Sequence, residues 1–210
     1  GRGRLHMALI EQEVKIALEA ESFARLKSGL GLDGVAPRQQ VNHYYDSNQS
    51  ALKAARAALR LRQYDQVSEW TFKQALDQFQ ALEITQTNAG RLDSVPASLA
   101  GAWIQDASLL AAIAKVGLEP QDLVVRYGFQ TNRWTLDLGW GELVLDQTLY
   151  GDQADYELEL EAQDLHLAQD YIAKLSQAYD FPLLAADKKI ARVSAYYAEL
   201  EKNKLARGPL

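Results

Sequence analysis

The fold is decided by Glu11-Gln12-Glu13-Val14-Lys15, close to the start of the chain. Successive side chains of an extended strand point to opposite faces, so Glu11, Glu13 and Lys15 share one face at a spacing of about 7 Å. The opposite face carries apolar side chains, namely Ile10, Val14 and Ile16. We therefore predict a strand over residues 8–18 whose apolar face enters a core. Its charged face meets either water or a ligand that needs two carboxylates and a cation.

Two later stretches repeat this alternation. Leu59-Arg60-Leu61-Arg62 places two cations on one strand face, and Tyr156-Glu157-Leu158-Glu159-Leu160-Glu161 places three carboxylates on another. One interpretation is a half-buried antiparallel sheet with a solvated face, on which acids and bases pair across strands for a few tenths of a kcal/mol each. Against it, carboxylates concentrate on the first and last strands and cations lie on the strands between them.

A closed sheet would make the first and last strands neighbours, and their glutamates would then converge. Converging carboxylates repel by up to about 4 kcal/mol per close pair, and divalent cations relieve this repulsion. Opposite them would lie the cations Lys15, Arg60, Arg62, Lys73 and Arg133. Phosphate oxygens are the usual match for arginine and lysine. The acidic and basic side chains together favour a site that binds a hard metal ion and phosphate groups.

Composition excludes several classes of protein. The chain has 210 residues, which predicts one domain, and a net charge of -6, which argues against nucleic acid as a partner. It has no cysteine, so disulfides, thiolate metal sites and cysteine nucleophiles are excluded. The apolar runs fall short of the roughly 18 residues that span a membrane, so we expect a soluble, cytoplasmic protein without a membrane partner. Residues 1–6, before Met7, are expected to be an expression-tag remnant, with the single domain over 7–205.

Further strands and helices are predicted from hydrophobic periodicity and from the glycine, proline and polar residues that interrupt it. Strands are predicted over residues 40–46, 57–62, 67–75, 82–87, 124–129, 133–138, 142–149 and 156–161, with a break at 130–132. Helices are predicted over 19–30, 48–55 and, weakly, 96–103. Three more helices are expected after the caps Asp106 and Asp164 and from Asp187 onward. No phosphate-cradling glycine loop occurs.

These motifs in this order resemble a known family. The opening stretch is similar to an E-x-E-x-K signature, Tyr44-Tyr45-Asp46 to a Tyr-Tyr-Asp-Thr element, Leu59-Arg60-Leu61-Arg62 to L-R-x-R, and Thr71-Phe72-Lys73 to T-x-K. Three later stretches correspond to its acidic strands and C-terminal basic stretch: 143–146, 156–159 and 189–192. The chain thus resembles a CYTH domain of the triphosphate tunnel metalloenzyme superfamily, closest to short stand-alone bacterial members. That superfamily includes thiamine triphosphatases, inorganic triphosphatases and class IV adenylate cyclases.

The resemblance implies an α+β fold: a closed eight-stranded antiparallel barrel that forms a tunnel, with helices packed outside. It implies Mg²⁺ or Mn²⁺ held by Glu11, Glu13, Asp146, Glu157, Glu159 and Glu161. It implies phosphates bound by Lys15, Arg60, Arg62, Lys73, Arg133, Lys189 and Arg192. The catalytic residues it implies are Glu11, Glu13, Lys15 and Glu83. The reaction would be in-line attack on the terminal phosphorus by a metal-positioned water, with the general base left open.

Three functions remain open at this point. The first is a metal-dependent triphosphatase that acts on a small triphosphate, with inorganic triphosphate expected, as a monomer or homodimer. The second is a class IV-type adenylate cyclase, which must also recognise adenine and exclude water. The third is a non-catalytic polyphosphate or nucleotide binder. The paired glutamates argue against the third, because a pure anion binder would gain affinity by losing them.

Overall fold

The computed structural model describes residues 12–77 and 81–206, so Glu11 lies outside the described residues. The strands are β1 (Gln12–Leu18), β2 (Arg38–Asp46), β3 (Ala57–Tyr64), β4 (Val67–Ala75), β5 (Ala81–Ala89), β6 (Val124–Asp137), β7 (Gly141–Tyr150) and β8 (Gln153–Ala162). The α-helices are α1 (Ala20–Gly29), α2 (Ala51–Ala54), α3 (Ala107–Lys115), α4 (Leu165–Tyr179) and α5 (Lys189–Ala206). A short 3₁₀ helix spans Pro120–Asp122. None of the helices in the described part of the chain is long and apolar enough to cross a membrane.

The strands form one eight-stranded antiparallel sheet in the order β1-β8-β7-β6-β2-β3-β4-β5. The first and last strands of the chain are neighbours, as predicted, with Glu13 opposite Glu161 and Lys15 opposite Glu159. The predicted break at 130–132 is wrong, because β6 runs without interruption from Val124 to Asp137. The polar residues 130–132 satisfy their backbone within a strand instead of in a turn.

The closed barrel predicted from the resemblance is corrected by the sheet order. Strands β1 and β5 are its two ends among the described residues, so the sheet is not closed into a barrel. The outer edge of β1 pairs with residues after α4 instead: Ile16 forms an antiparallel bridge with Ala185, and the Ala17 N–H donates to the Leu184 carbonyl at 2.8 Å. This segment uses backbone groups of β1 that a closing strand would need.

The chain divides into two compact units. Unit 1 contains residues 12–37 and 132–188 of the described part, and unit 2 contains residues 38–77, 81–131 and 189–206. Strand β6 contributes its first part to unit 2 and its last residues to unit 1. Each unit has its own hydrophobic core.

The core of unit 1 lies on the apolar face of β1, β8 and β7. Leu158 and Leu160, which alternate with the glutamates of β8, are fully buried, and α1 and α4 cover them with Leu26 and Ile172. Burying a side chain of this size contributes about 1.5–3 kcal/mol. The alternation of β8 therefore fixes which face carries the carboxylates.

The core of unit 2 is built in the same way on β3 and β4. Leu59 and Leu61 alternate with the two arginines of β3 and pack with Trp70 of β4 and with Leu109 and Ile113 of α3, all fully buried. A one-residue shift of β3 would bury both arginines and expose both leucines. The core therefore fixes the direction of the arginine side chains.

The predicted helix caps are confirmed, and one predicted helix is wrong. Asp106 accepts from the Leu109 N–H at 2.9 Å, and Asp164 accepts from the Leu167 N–H at 3.1 Å, which satisfies an amide that each helix start leaves open. Residues 96–103 are not helical. The Leu99 N–H donates to the Leu123 carbonyl, and Ser98 bridges to Val124, so this segment pairs with the start of β6 in an extended form.

Replacement of Gly141 by alanine is expected to destabilise the protein by about 1–3 kcal/mol, as overpacking does. A Cβ atom on Gly141 would lie 2.8 Å from the Glu161 carbonyl oxygen and 3.2 Å from the Ala162 Cβ atom. Backbone has to move to make room. The free energy of unfolding in urea measures this cost. Gly34→Ala is the matched control, because nothing lies within 4 Å of its added methyl group; equal losses in the two variants would contradict the prediction.

Candidate active site

Unit 1 gathers most of the predicted metal ligands on the polar face of its strands. We call them the carboxylate cluster: Glu13 on β1, Asp146 on β7, and Glu157, Glu159 and Glu161 on β8. The register explains their approach, because Asp146 lies directly opposite Glu157 and Glu13 lies directly opposite Glu161. Opposed positions bring Cβ atoms within about 5.5 Å.

Three members of the carboxylate cluster are almost completely removed from solvent. The exposed fraction is 0% for Asp146, 1% for Glu157 and 3% for Glu159. Each offers an oxygen, and these oxygens lie within 4.8 Å of one another; Glu13, Glu159 and Glu161 form a second group of the same kind. Buried ionised carboxylates are costly unless a cation or a set of hydrogen bonds compensates them.

Arg133 on β6 supplies part of that compensation. Its Nε and Nη2 donate to the two oxygens of Asp146 at 2.8 and 2.7 Å, and Nη2 lies 4.0 Å from Glu159. The hydrogen bonds to Asp146 raise the pKa of the Arg133 guanidinium above its usual range, although desolvation acts in the opposite direction. Arg133 therefore remains charged and is held in a fixed bidentate orientation.

Lys15 supplies a second cation, with its Nζ 3.6 Å from Glu13 and 3.8 Å from Glu159. Lys15 and Arg133 are thus two cations in contact with the carboxylate cluster. Clustered hard oxygen donors are the donor set that Mg²⁺ and Mn²⁺ prefer. The residues present therefore fit a divalent cation.

Unit 2 carries a row of cations that we call the cation strip: Arg60 and Arg62 on β3, and Lys73 on β4. In the register, Arg60 lies opposite Tyr44 and Thr71, whereas Lys73 lies opposite Ala58 and Glu83. The Arg60 Nε is buried and has no hydrogen-bond partner among the described residues. A buried guanidinium nitrogen without an acceptor is a place for an external anion.

Arg62 is held by a residue that sequence reasoning missed. Its Nε donates to the Oδ1 of Asn42 at 2.8 Å, and Asn42 on β2 is 1% exposed. Asn42 lies directly opposite Arg62 in the register of β2 and β3. That register is a property of the paired strands, so no signal within either stretch alone could have identified the contact.

The remaining predicted residues lie elsewhere in unit 2. Glu83 is exposed on β5, and Lys73, its opposite neighbour, is exposed as well. Lys189 and Arg192 lie in the first turn of α5, and both are partly buried. In register, the cation strip therefore has two acidic neighbours on the adjacent strands, Glu83 beside Lys73 and Glu69 beside Arg62.

Asp46 in the Tyr44-Tyr45-Asp46 element has a structural task. Its carboxylate accepts from the backbone N–H groups of Ser47, Leu52 and Lys53 at 2.7, 2.8 and 3.1 Å. The amides of Leu52 and Lys53 lie in the first turn of α2, where helix geometry leaves them without partners. Asp46 therefore fixes the connection between β2 and β3.

Comparison with known proteins supplies independent information. The family model described as CYTH domain matches residues 9–194. A Bacillus subtilis (strain 168) protein named "Putative triphosphatase YjbK" is 30% identical over 194 residues, which cover 92% of this chain and 97% of that protein.

Two solved structures have a similar fold. One is described as a "putative adenylate cyclase" from Bacillus halodurans; it is 25% identical with a TM-score of 0.66 and covers 87% of this chain and 96% of its own. The other is HpAC1 from Hippeastrum, whose description reports a dominant triphosphatase activity for that protein. It is 19% identical with a TM-score of 0.68, covers 89% of this chain and 96% of its own, and bears on the fold alone.

Proposed function

Because the chain belongs to the CYTH domain family, we propose that it is a metal-dependent hydrolase of a small triphosphate, with inorganic triphosphate as its substrate. The observation that carries the proposal is the group of three buried carboxylates, Asp146, Glu157 and Glu159, whose oxygens lie within 4.8 Å of one another. The Bacillus subtilis relative, which bears the name of a triphosphatase, supports hydrolysis as the reaction.

In this proposal the carboxylate cluster, together with Glu11, holds the divalent cation. A Mg²⁺ or Mn²⁺ ion there would neutralise phosphate charge and orient the attacking water. The geometry of Arg133 supports the assignment, because its bidentate contact fixes the orientation of the Asp146 carboxylate. Lys15 keeps Glu13 and Glu159 within 4 Å of one ammonium group.

Phosphate binding is assigned to Lys15, Arg60, Arg62, Lys73, Arg133, Lys189 and Arg192. The strongest support comes from Arg60, whose buried Nε has no acceptor among the described residues. A phosphate oxygen would satisfy this nitrogen and gain a charge-assisted hydrogen bond. Glu83 is proposed to orient Lys73, its opposite neighbour on β4.

Incubation with inorganic triphosphate and Mg²⁺ or Mn²⁺ is expected to release orthophosphate, and an excess of EDTA is expected to abolish the release. Parallel incubations contain ATP or thiamine triphosphate, and chromatography identifies every product. Cyclic AMP with pyrophosphate from ATP would replace the hydrolase assignment by a cyclase. Tight binding of triphosphate without turnover in any metal would replace it by a non-catalytic binder.

One observation in unit 2 favours the cyclase as second candidate. A cavity of about 450 Å³ is lined by Tyr44, Tyr127 and Tyr197, and the ring of Tyr127 stacks on Tyr44 at 5.3 Å and on Tyr197 at 6.1 Å. Tyr44 lies opposite Arg60 in the register, so the cavity adjoins the cation strip. Aromatic walls suit a heteroaromatic base attached to the triphosphate. The ATP incubation tests this candidate directly.

A further inference from the structure

Asn42 is a buried polar side chain that touches the cation strip. Its Oδ1 accepts from Arg62 Nε at 2.8 Å, and only 1% of the residue is exposed. Close packing around a side chain this buried keeps it in one rotamer. The hydrogen bond therefore fixes the direction of the guanidinium through its Nε and sets where the two terminal nitrogens point.

The chemistry of the acceptor distinguishes Arg62 from Arg133. A carboxylate holds Arg133 at both Nε and Nη2, and the negative charge of Asp146 opposes that of the guanidinium. An amide holds Arg62, and an amide oxygen is neutral. Asn42 thus orients Arg62 without adding a negative charge beside it.

A carboxylate also lies beside Arg62. Glu69 on β4 lies opposite Arg62 in the register, and its Oε1 accepts from the Tyr64 hydroxyl at 2.6 Å. Arg38 in turn lies over the ring of Tyr64, 4.8 Å from its centroid, which supports the tyrosine in this position. Asn42 on β2 and Glu69 on β4 therefore flank Arg62, and Asn42 is the neutral one of the two.

We propose that Asn42 is a positioning residue for phosphate binding, which orients Arg62 through Nε without adding a negative charge beside the guanidinium. The inference rests on the proposed function, because it assigns Asn42 a part in holding the same triphosphate. A carboxylate at this position would keep the hydrogen bond and oppose the charge. The Asn42→Asp variant therefore separates the two properties.

The test measures the Kd of inorganic triphosphate by calorimetry in EDTA, and KM and kcat with Mg²⁺. Asn42→Asp is expected to raise Kd and KM on the order of tenfold, with a much smaller change in kcat. Asn48→Asp, at an exposed position after β2, adds the same charge and is expected to leave all three constants unchanged. Asn42→Ala removes the acceptor and is expected to raise Kd as well. If one of the two variants fails to fold, the Kd of the other still tests the role of Asn42.

A double-mutant cycle separates positioning from a merely structural role. In an Arg62→Ala background, Asn42→Asp is expected to change Kd by less than about twofold, because the guanidinium that residue 42 contacts is absent. Wild-type Kd and KM in the Asn42→Asp variant, while the wild-type protein binds and hydrolyses triphosphate, would overturn this inference alone. A wild-type protein that neither binds nor hydrolyses triphosphate would overturn the proposed function and the inference together.

Discussion

Glu159→Gln is expected to lower metal-dependent triphosphate turnover by on the order of 100- to 1,000-fold, as loss of a preorganised charge does in other active sites. Glu159 belongs to both carboxylate groups of unit 1 and is 3% exposed. Glutamine has nearly the same shape but offers a neutral oxygen, so the cluster loses one negative charge. The measurement is kcat/KM for inorganic triphosphate across a Mg²⁺ titration.

The fold is expected to survive this change. The variant loses the contacts of Glu159 with Lys15 at 3.8 Å and with Arg133 at 4.0 Å, but it also loses repulsion from the neighbouring carboxylates. The melting temperature in EDTA is therefore expected to stay within a few degrees of wild type. Glu142→Gln on β7 is the matched control, since Glu142 is exposed and belongs to neither carboxylate group. Full activity in Glu159→Gln, or equal losses in both variants, would refute the assigned role.

Arg133→Met is expected to destabilise the protein by about 3–5 kcal/mol in EDTA, the cost of removing one partner from a buried ion pair. The variant loses both hydrogen bonds to Asp146, a side chain with no exposed surface. The carboxylate cluster also loses one of the cations that contact it. Urea unfolding followed by circular dichroism gives the free energy.

Two comparisons make this prediction specific. Arg38→Met breaks the Arg38–Asp65 pair, which has a similar distance of 2.9 Å but is exposed on both sides, so its cost is expected to stay below about 1 kcal/mol. Addition of Mg²⁺ is expected to stabilise Arg133→Met more than wild type. The metal would supply positive charge that the variant lacks, and ligand binding to the folded state adds stability by mass action. Equal stability of Arg133→Met and wild type in EDTA would show that Asp146 does not depend on this arginine.

Two features could be predicted from the sequence: which face of a strand is buried, and that the first and last strands are neighbours. Strict alternation in β8 placed Leu158 and Leu160 in a core and the glutamates on the other face, and the same rule applied to Leu59 and Leu61 in β3. Alternation is a direct consequence of strand geometry, so it needs no knowledge of the partner strand. The membership in the CYTH domain family, predicted from motifs in order, is confirmed.

What depends on pairing between distant segments could not be predicted. Residues 184–185 pair with the outer edge of β1, and nothing in the composition of that segment indicates a strand partner. The continuous β6 contains Gln130, Thr131 and Asn132, which are typical of turns when their partner strands are unknown. Asn42 was missed for the same reason, because its role depends on facing Arg62 across two strands.

The segment that lies along β1 also bears on the resistance of this protein to aggregation. A bare sheet margin recruits strands from other chains and starts fibril growth or subunit exchange. Here the backbone at Ile16 and Ala17 is already occupied by the same molecule, through Ala185 and Leu184. The strand that bears the opening acidic signature is thereby shielded at these positions from intermolecular templating, and its charged side chains are kept from being drawn into an aggregate.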